Sequence, residues 1–176
     1  MAGRQILTTT RLILRELTAG DLPFVADILA HPEVMAHYPD WIVAEGPQAW
    51  LDRQLQRYTG DGYGPWLALR LEDDAPVGQI GLARQDVNGS WETEVGYLLQ
   101  RPFWGHGYAT EGAAACIRYG LETLGCSRIV ALIRAENRPS QAVAERLGMD
   151  QDGTALHAGL EHRVYATRVA PELGGR

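Results

Sequence analysis

A chain of 176 residues with 45% hydrophobic content has room for one domain around a sizeable core and little for a second. Its formal charge of −6, with no cluster of basic residues, excludes general affinity for nucleic acid, whose phosphates are held by grouped Lys and Arg. No apolar run approaches the roughly 20 residues of a membrane span, and Met1 to Arg11 lacks a signal peptide's hydrophobic core and cleavage site, so a soluble cytoplasmic protein without a membrane partner is expected.

In chain order, "RLILREL" (Arg11 to Leu17) alternates as a strand does, and "TAGD" from Thr18 offers a cap and an acid for a helix through Leu29, which His31 and Pro32 break. A second helix is predicted from Pro47 to Tyr58, with Ala49 or Trp50, Leu51, Leu55 and Tyr58 on one face. The stretch between, "HYPDWIVAEG", reads as irregular and aromatic. "WLALRL" (Trp66 to Leu71), "PVGQIGLARQ" (Pro76 to Gln85) and "WETEVGYLL" (Trp91 to Leu99) form an antiparallel meander that turns at Asp73-Asp74 and Asn88-Gly89. Beyond it, Ala113, Ile117, Leu121 and Leu124 mark the apolar face of a helix ending at Gly125. "RIVALIR" (Arg128 to Arg134) follows as a buried strand. Asn137 and Pro139 open a short helix that Gly148 stops, and a hairpin about Ala158-Gly159 returns through "HRVYATRV".

Between meander and helix lies "RPFWGHGYATEG" (Arg101 to Gly112). Glycines one residue apart ahead of a helix let a ligand reach main-chain N–H groups, and phosphate is the usual ligand of that kind. The same residues read equally as a tight turn under Phe103 and Trp104. All sixteen basic residues are Arg, so a Walker A lysine and Schiff-base chemistry are both excluded. Ser90, Ser127 and Ser140 are the only serines and none lies in a G-x-S-x-G elbow. The dinucleotide fingerprint fails at Thr110, where its third glycine would stand. Cys116 and Cys126 lack metal-ligand spacing and read as buried free thiols in a reducing compartment, and no metal is expected.

The strand "EVGYLL", the loop "RPFWGHGYATEG", a helix, a strand and then "ENRPSQAVAERLGM" together resemble the GNAT superfamily of N-acetyltransferases. The opening "TTTRLILREL" and the following "HPEVM" are similar to its ribosomal-protein-alanine acetyltransferase branch, the RimJ/RimL type. The resemblance runs from about Thr8 to Val169. It implies an α/β (α+β) fold: a mixed, mostly antiparallel sheet of about seven strands, splayed between the fourth and fifth and flanked by about four helices.

It also implies acetyl-CoA as the acyl-donor cosubstrate, an amine-bearing acceptor (a protein N-terminus or a small molecule), and leaves a homodimer open. The family's acetyl-CoA signature falls on Trp104, Gly105, His106, Gly107, Tyr108 and Ala109, with Trp104 where the family has Gln or Arg, and Thr110 just beyond it is a further expected cofactor-binding residue. Val95, Leu98 and Leu99 match the strand that binds the pantetheine arm. Gly96 is the candidate bulge, and Val95 or Leu98 N–H the oxyanion donor. Asn137 reaches the pantetheine amides. Ser140 protonates the leaving thiolate, because the position where many relatives place a Tyr is Ala144. Glu94 is the first candidate base, with Glu92 two residues earlier on the same face, and Tyr38 and Trp41 line the acceptor groove. On the residues alone, Asn137 and Ser140 read also as a helix cap and its first turn, and both Glu as solvated strand residues. A non-catalytic acyl-CoA sensor and a user of another donor such as succinyl-CoA are the alternatives.

Overall fold

The computed structural model describes residues 3–167. Asn88 and Gly89 take φ values of 54° and 85°, the left-handed pair that a two-residue hairpin requires, and fold β4 (Pro76–Val87) back onto β5 (Ser90–Leu99). Ahead of them lie β1 (Gln5–Thr8), β2 (Leu12–Arg15) and β3 (Pro65–Arg70). After them come β6 (Val130–Ile133), β7 (Asp150–His157) and β8 (Leu160–Ala166), the last two joined by left-handed Ala158 and Gly159. One sheet results, ordered β1-β2-β3-β4-β5-β6-β8-β7, with every neighbour antiparallel except β5 and β6. It has eight strands rather than seven because β1 adds an edge before the first expected strand. The last residues of the expected returning strand, Arg168 and Val169, lie outside the described residues.

Alternation along β5 divides the core between the two faces. Val95 and Leu99 join Ile80, Leu82, Ala113 and Cys116 beneath α4 (Tyr108–Glu122), and Leu98 joins Val25, Ile28, Trp50 and Leu51 beneath α1 (Leu22–Leu29) and α3 (Asp40–Gly60). Thr18 caps a 3-10 turn, Ala19–Asp21, that leads into α1. Pro32 ends that helix and also opens the short α2 (Pro32–Met35), since a proline is tolerated at a first helical position. Helix α3 begins at Asp40, seven residues before the predicted start. Gly46, at φ 83° and ψ 172°, kinks it and lets Pro47 open its longer limb.

The buried residues of α4 are Tyr108, Gly112, Ala113, Cys116 and Gly120; of the predicted face, Ala113 is buried, Ile117 and Leu124 pack half-buried against the core, and Leu121 faces out. Close approach explains the difference: a Cβ on Gly112 would stand 2.6 Å from Ile80 Cδ1, and one on Gly120 2.7 Å from Ile129 Cδ1. Cys116 is buried and Cys126 half-buried. Helix α5 (Arg138–Arg146) packs beside α4.

Candidate active site

Strands β5 and β6 run parallel yet share a single bridge, Glu94 with Val130. The Gln100 N–H bonds the Val77 carbonyl at 3.0 Å, so the even-numbered peptides of β5 face β4 and the odd-numbered ones face β6. The bridge engages the peptides on either side of Glu94, those of Thr93 and Val95. The Leu99 carbonyl accepts from Trp104 Nε1 at 2.8 Å. Between them the Tyr97 peptide faces a gap with no strand against it. The expected oxyanion donors are thereby displaced: Leu98 N–H lies in the β4 ladder and Val95 N–H in the bridge. Gly96 is no bulge either, because the ladder from Gly78↔Leu99 to Val87↔Ser90 has no register shift. The opening comes from β6, which is four residues long and diverges.

On the α4 face the gap opens toward the glycine loop. Gly105 and Gly107 sit at φ 76° and 80°, and a Cβ on Gly105 would meet nothing within 4 Å. Gly107 is the N-cap of α4 and has no side chain to cap it, so the N–H groups of the first turn, among Tyr108, Ala109 and Thr110, are left for an anion. Trp104, in the signature's Gln/Arg position, ties the loop to the end of β5. Arg101 is held by Glu33 at 2.7 Å, and His106 stacks on Tyr108 with ring centroids 6.0 Å apart.

Two residues that the sequence reading passed over fix this loop. Arg11 donates from Nη1 to the His106 carbonyl (2.9 Å) and from Nε to Glu111 Oε2 (2.7 Å), and its guanidinium lies 4.6 Å from the centre of the Tyr108 ring. Glu111 Oε1 also accepts from Arg11 N–H (2.8 Å) and Thr9 Oγ1 (2.6 Å). Burial pushes the Glu111 carboxyl up, but these hydrogen bonds outweigh it and hold the group below its usual range.

Across the gap, Asn137 Oδ1 accepts from Ser140 N–H at 3.2 Å and caps α5. Among the described residues neither Asn137 Nδ2 nor Ser140 Oγ has a partner. Tyr97 spans from β5 to α5, its hydroxyl donating to the Ser140 carbonyl at 2.8 Å.

On the α3 face burial pushes the Glu94 carboxyl up, while bonds from Gln85 Nε2 (2.9 Å) and Leu132 N–H pull the other way. Glu92, the second candidate, instead pairs with Arg128 at 2.9 Å. Tyr38 packs edge-on against Trp50 and, with Ala36, His37, Arg134, Glu136 and Leu160, lines a cavity of about 350 Å³. Trp41 does not reach this cavity. It is 46% exposed beneath Arg53, which pairs with Glu45.

The family model for the acetyltransferase (GNAT) domain matches residues 11–150. The uncharacterized protein YkkB of Bacillus subtilis is 30% identical over 155 residues, 88% of this chain and 90% of that protein. An acetyltransferase from Agrobacterium tumefaciens superposes with a TM-score of 0.77 at 31% identity, over 92% of this chain and 93% of its own. RimL, a ribosomal-protein alpha-N-acetyltransferase solved in complex with coenzyme A, gives a TM-score of 0.75 over 94% of this chain and 98% of its own. At 19% identity it is a likeness of fold alone.

Proposed function

Because the chain belongs to the GNAT acetyltransferase family, we propose that it moves the acetyl group of acetyl-CoA to the primary amine of an acceptor by direct attack in a ternary complex. It is an N-acetyltransferase. What supports the mechanism is the gap beside the Tyr97 peptide, with the glycine loop following β5 in the chain and Arg134 of the Tyr38 cavity following β6. The residues present fit the donor. The first-turn N–H groups of α4 surround its diphosphate, where the helix dipole also favours negative charge. The Tyr97 peptide pairs with the pantetheine arm as an added strand would, assisted by Asn137 Nδ2, and its N–H polarises the thioester carbonyl.

The amine must be neutral to attack. At pH 7 that costs about 1 kcal/mol for an α-amine and roughly 4.6 kcal/mol for a lysine-like amine. Its nitrogen bonds the carbonyl carbon, Glu94 takes the proton through a water, the C–S bond breaks, and the thiolate takes a proton from Ser140 Oγ, which regains one from solvent water in the same step. Thiol release from acetyl-CoA against a panel of amines tests the reading. Amine-dependent, stoichiometric release is expected. Tight CoA binding with no release for any amine would make the protein an acyl-CoA sensor instead.

A further inference from the structure

We propose that the acceptor is an α-amino acid and that Arg134 holds its carboxylate. This rests on the acetyl-transfer reading and names the substrate class of the same site. Counting three residues from the Glu94–Val130 bridge along both parallel strands sets Ile133 level with Tyr97, and Arg134 is the next residue. Tyr38, which lines the same cavity as Arg134, interacts electrostatically with both Glu94 and Tyr97, so the cavity lies near the proposed acetyl-transfer point. About 350 Å³ is near the low end for small-ligand pockets, roughly 300–1,000 Å³.

The charge most deeply set in this cavity is the cation. The Arg134 side chain is 23% exposed and that of Glu136 64%. The two meet through one contact, Nη2 to Oε1 at 3.3 Å, longer than the roughly 2.7–2.9 Å of a charge-assisted bond. Arg15, by comparison, gives Asp21 two bonds of 2.9 and 2.7 Å. Arg134 Nε is buried, and among the described residues neither it nor Nη1 has a hydrogen-bond partner. Glu136 is held below the usual carboxyl range first by its own backbone N–H and only then by Arg134, so it has a partner without the guanidinium. His162, bonded through Nδ1 to the Leu160 carbonyl, is pushed down by burial and by Arg134 and adds no second cation at pH 7.

A guanidinium with unspent donors matches a carboxylate. An α-amino acid so held has its amine one carbon from the carboxylate. A polyamine would set a second cation against Arg134, and a peptide N-terminus would offer only a neutral carbonyl.

Thiol release with the twenty amino acids, their C-terminal amides and a set of diamines decides the matter. At least one free amino acid should exceed its own amide about tenfold or more in kcat/KM. Arg134→Gln should lower kcat/KM for that acid roughly ten- to a hundredfold, leaving the amide and the KM for acetyl-CoA nearly unchanged, and Arg134→Lys should recover part of the loss. Amides or diamines that match or exceed the acids would overturn the carboxylate assignment and leave the acetyltransferase standing. Failure of every amine to elicit thiol release would overturn both.

Discussion

At Gly107 any side chain would meet both a left-handed backbone and the space assigned to a diphosphate, while Arg11 Nη2 would stand 3.4 Å from the added Cβ. Gly107→Asp should therefore weaken CoA binding by at least tenfold in calorimetry, with the melting profile still cooperative. Unchanged affinity would reduce the loop to a turn. Arg11 acts one step removed, by holding the His106 carbonyl and so the direction of the following N–H groups. Arg11→Ala should raise the KM for acetyl-CoA several-fold and leave that for the acceptor alone. Arg11→Lys should not restore it, since an ammonium lacks the planar fork that spans His106 and Glu111. A loss shared equally between both substrates would point to general destabilisation. The loop was legible because a left-handed backbone writes itself as glycine. Arg11 was not, for its contacts span 95 and 100 residues. Nor was Tyr97, because which peptide of a strand faces a gap depends on register rather than on side-chain identity.

Helix α5 joins a structural and a chemical duty in its first turn, and the two can be separated. Asn137→Ala removes the acceptor for Ser140 N–H and should cost about 1 kcal/mol of stability. Ser140→Ala leaves that bond in place, because the backbone makes it. It should lower turnover roughly ten- to a hundredfold, with little change in CoA affinity or melting temperature, as water can stand in for the acid. Wild-type turnover in Ser140→Ala would confine the residue to the helix cap. Among the elements, the meander and both left-handed hairpins were readable from alternation and turn residues. The face of α4 was legible only in part: Ala113 and Ile117 do pack on the core, but helical spacing of large apolar residues also suggested Leu121, whereas a helix lying this close to its sheet buries Gly112 and Gly120. Helix α3 hid its first limb for a related reason, since a Gly-Pro pair marks a break in sequence but only a kink in space.

Over the whole molecule, a sheet that parts along one seam would, in the proposed reaction, bring a polyanionic donor to an acidic protein through local N–H groups and set a half-buried carboxyl on the acceptor's side. Glu94 is that carboxyl, and as the proposed base it would link catalysis to stability. Burial raises its pKa in the folded state, so the folded chain binds this proton more tightly than the unfolded one. The stability it contributes is fully present below the unfolded carboxyl pKa and is lost as pH rises through the folded value. Glu94→Gln keeps an oxygen to accept from Gln85 and never ionises. Its melting temperature should gain on the wild type as pH climbs from about 4 to about 7, the window that opens at the usual carboxyl pKa and runs above it. With the rate corrected for the fraction of neutral amine, the variant should turn over more slowly than the wild type, and the part of the acid limb that Glu94 sets above the ordinary carboxyl pKa should disappear. Parallel titration of stability and rate is the specific expectation. A difference in melting temperature that stayed constant with pH would mean that Glu94 ionises alike in both states, and the base would then have to be sought elsewhere on the acceptor's side of the gap.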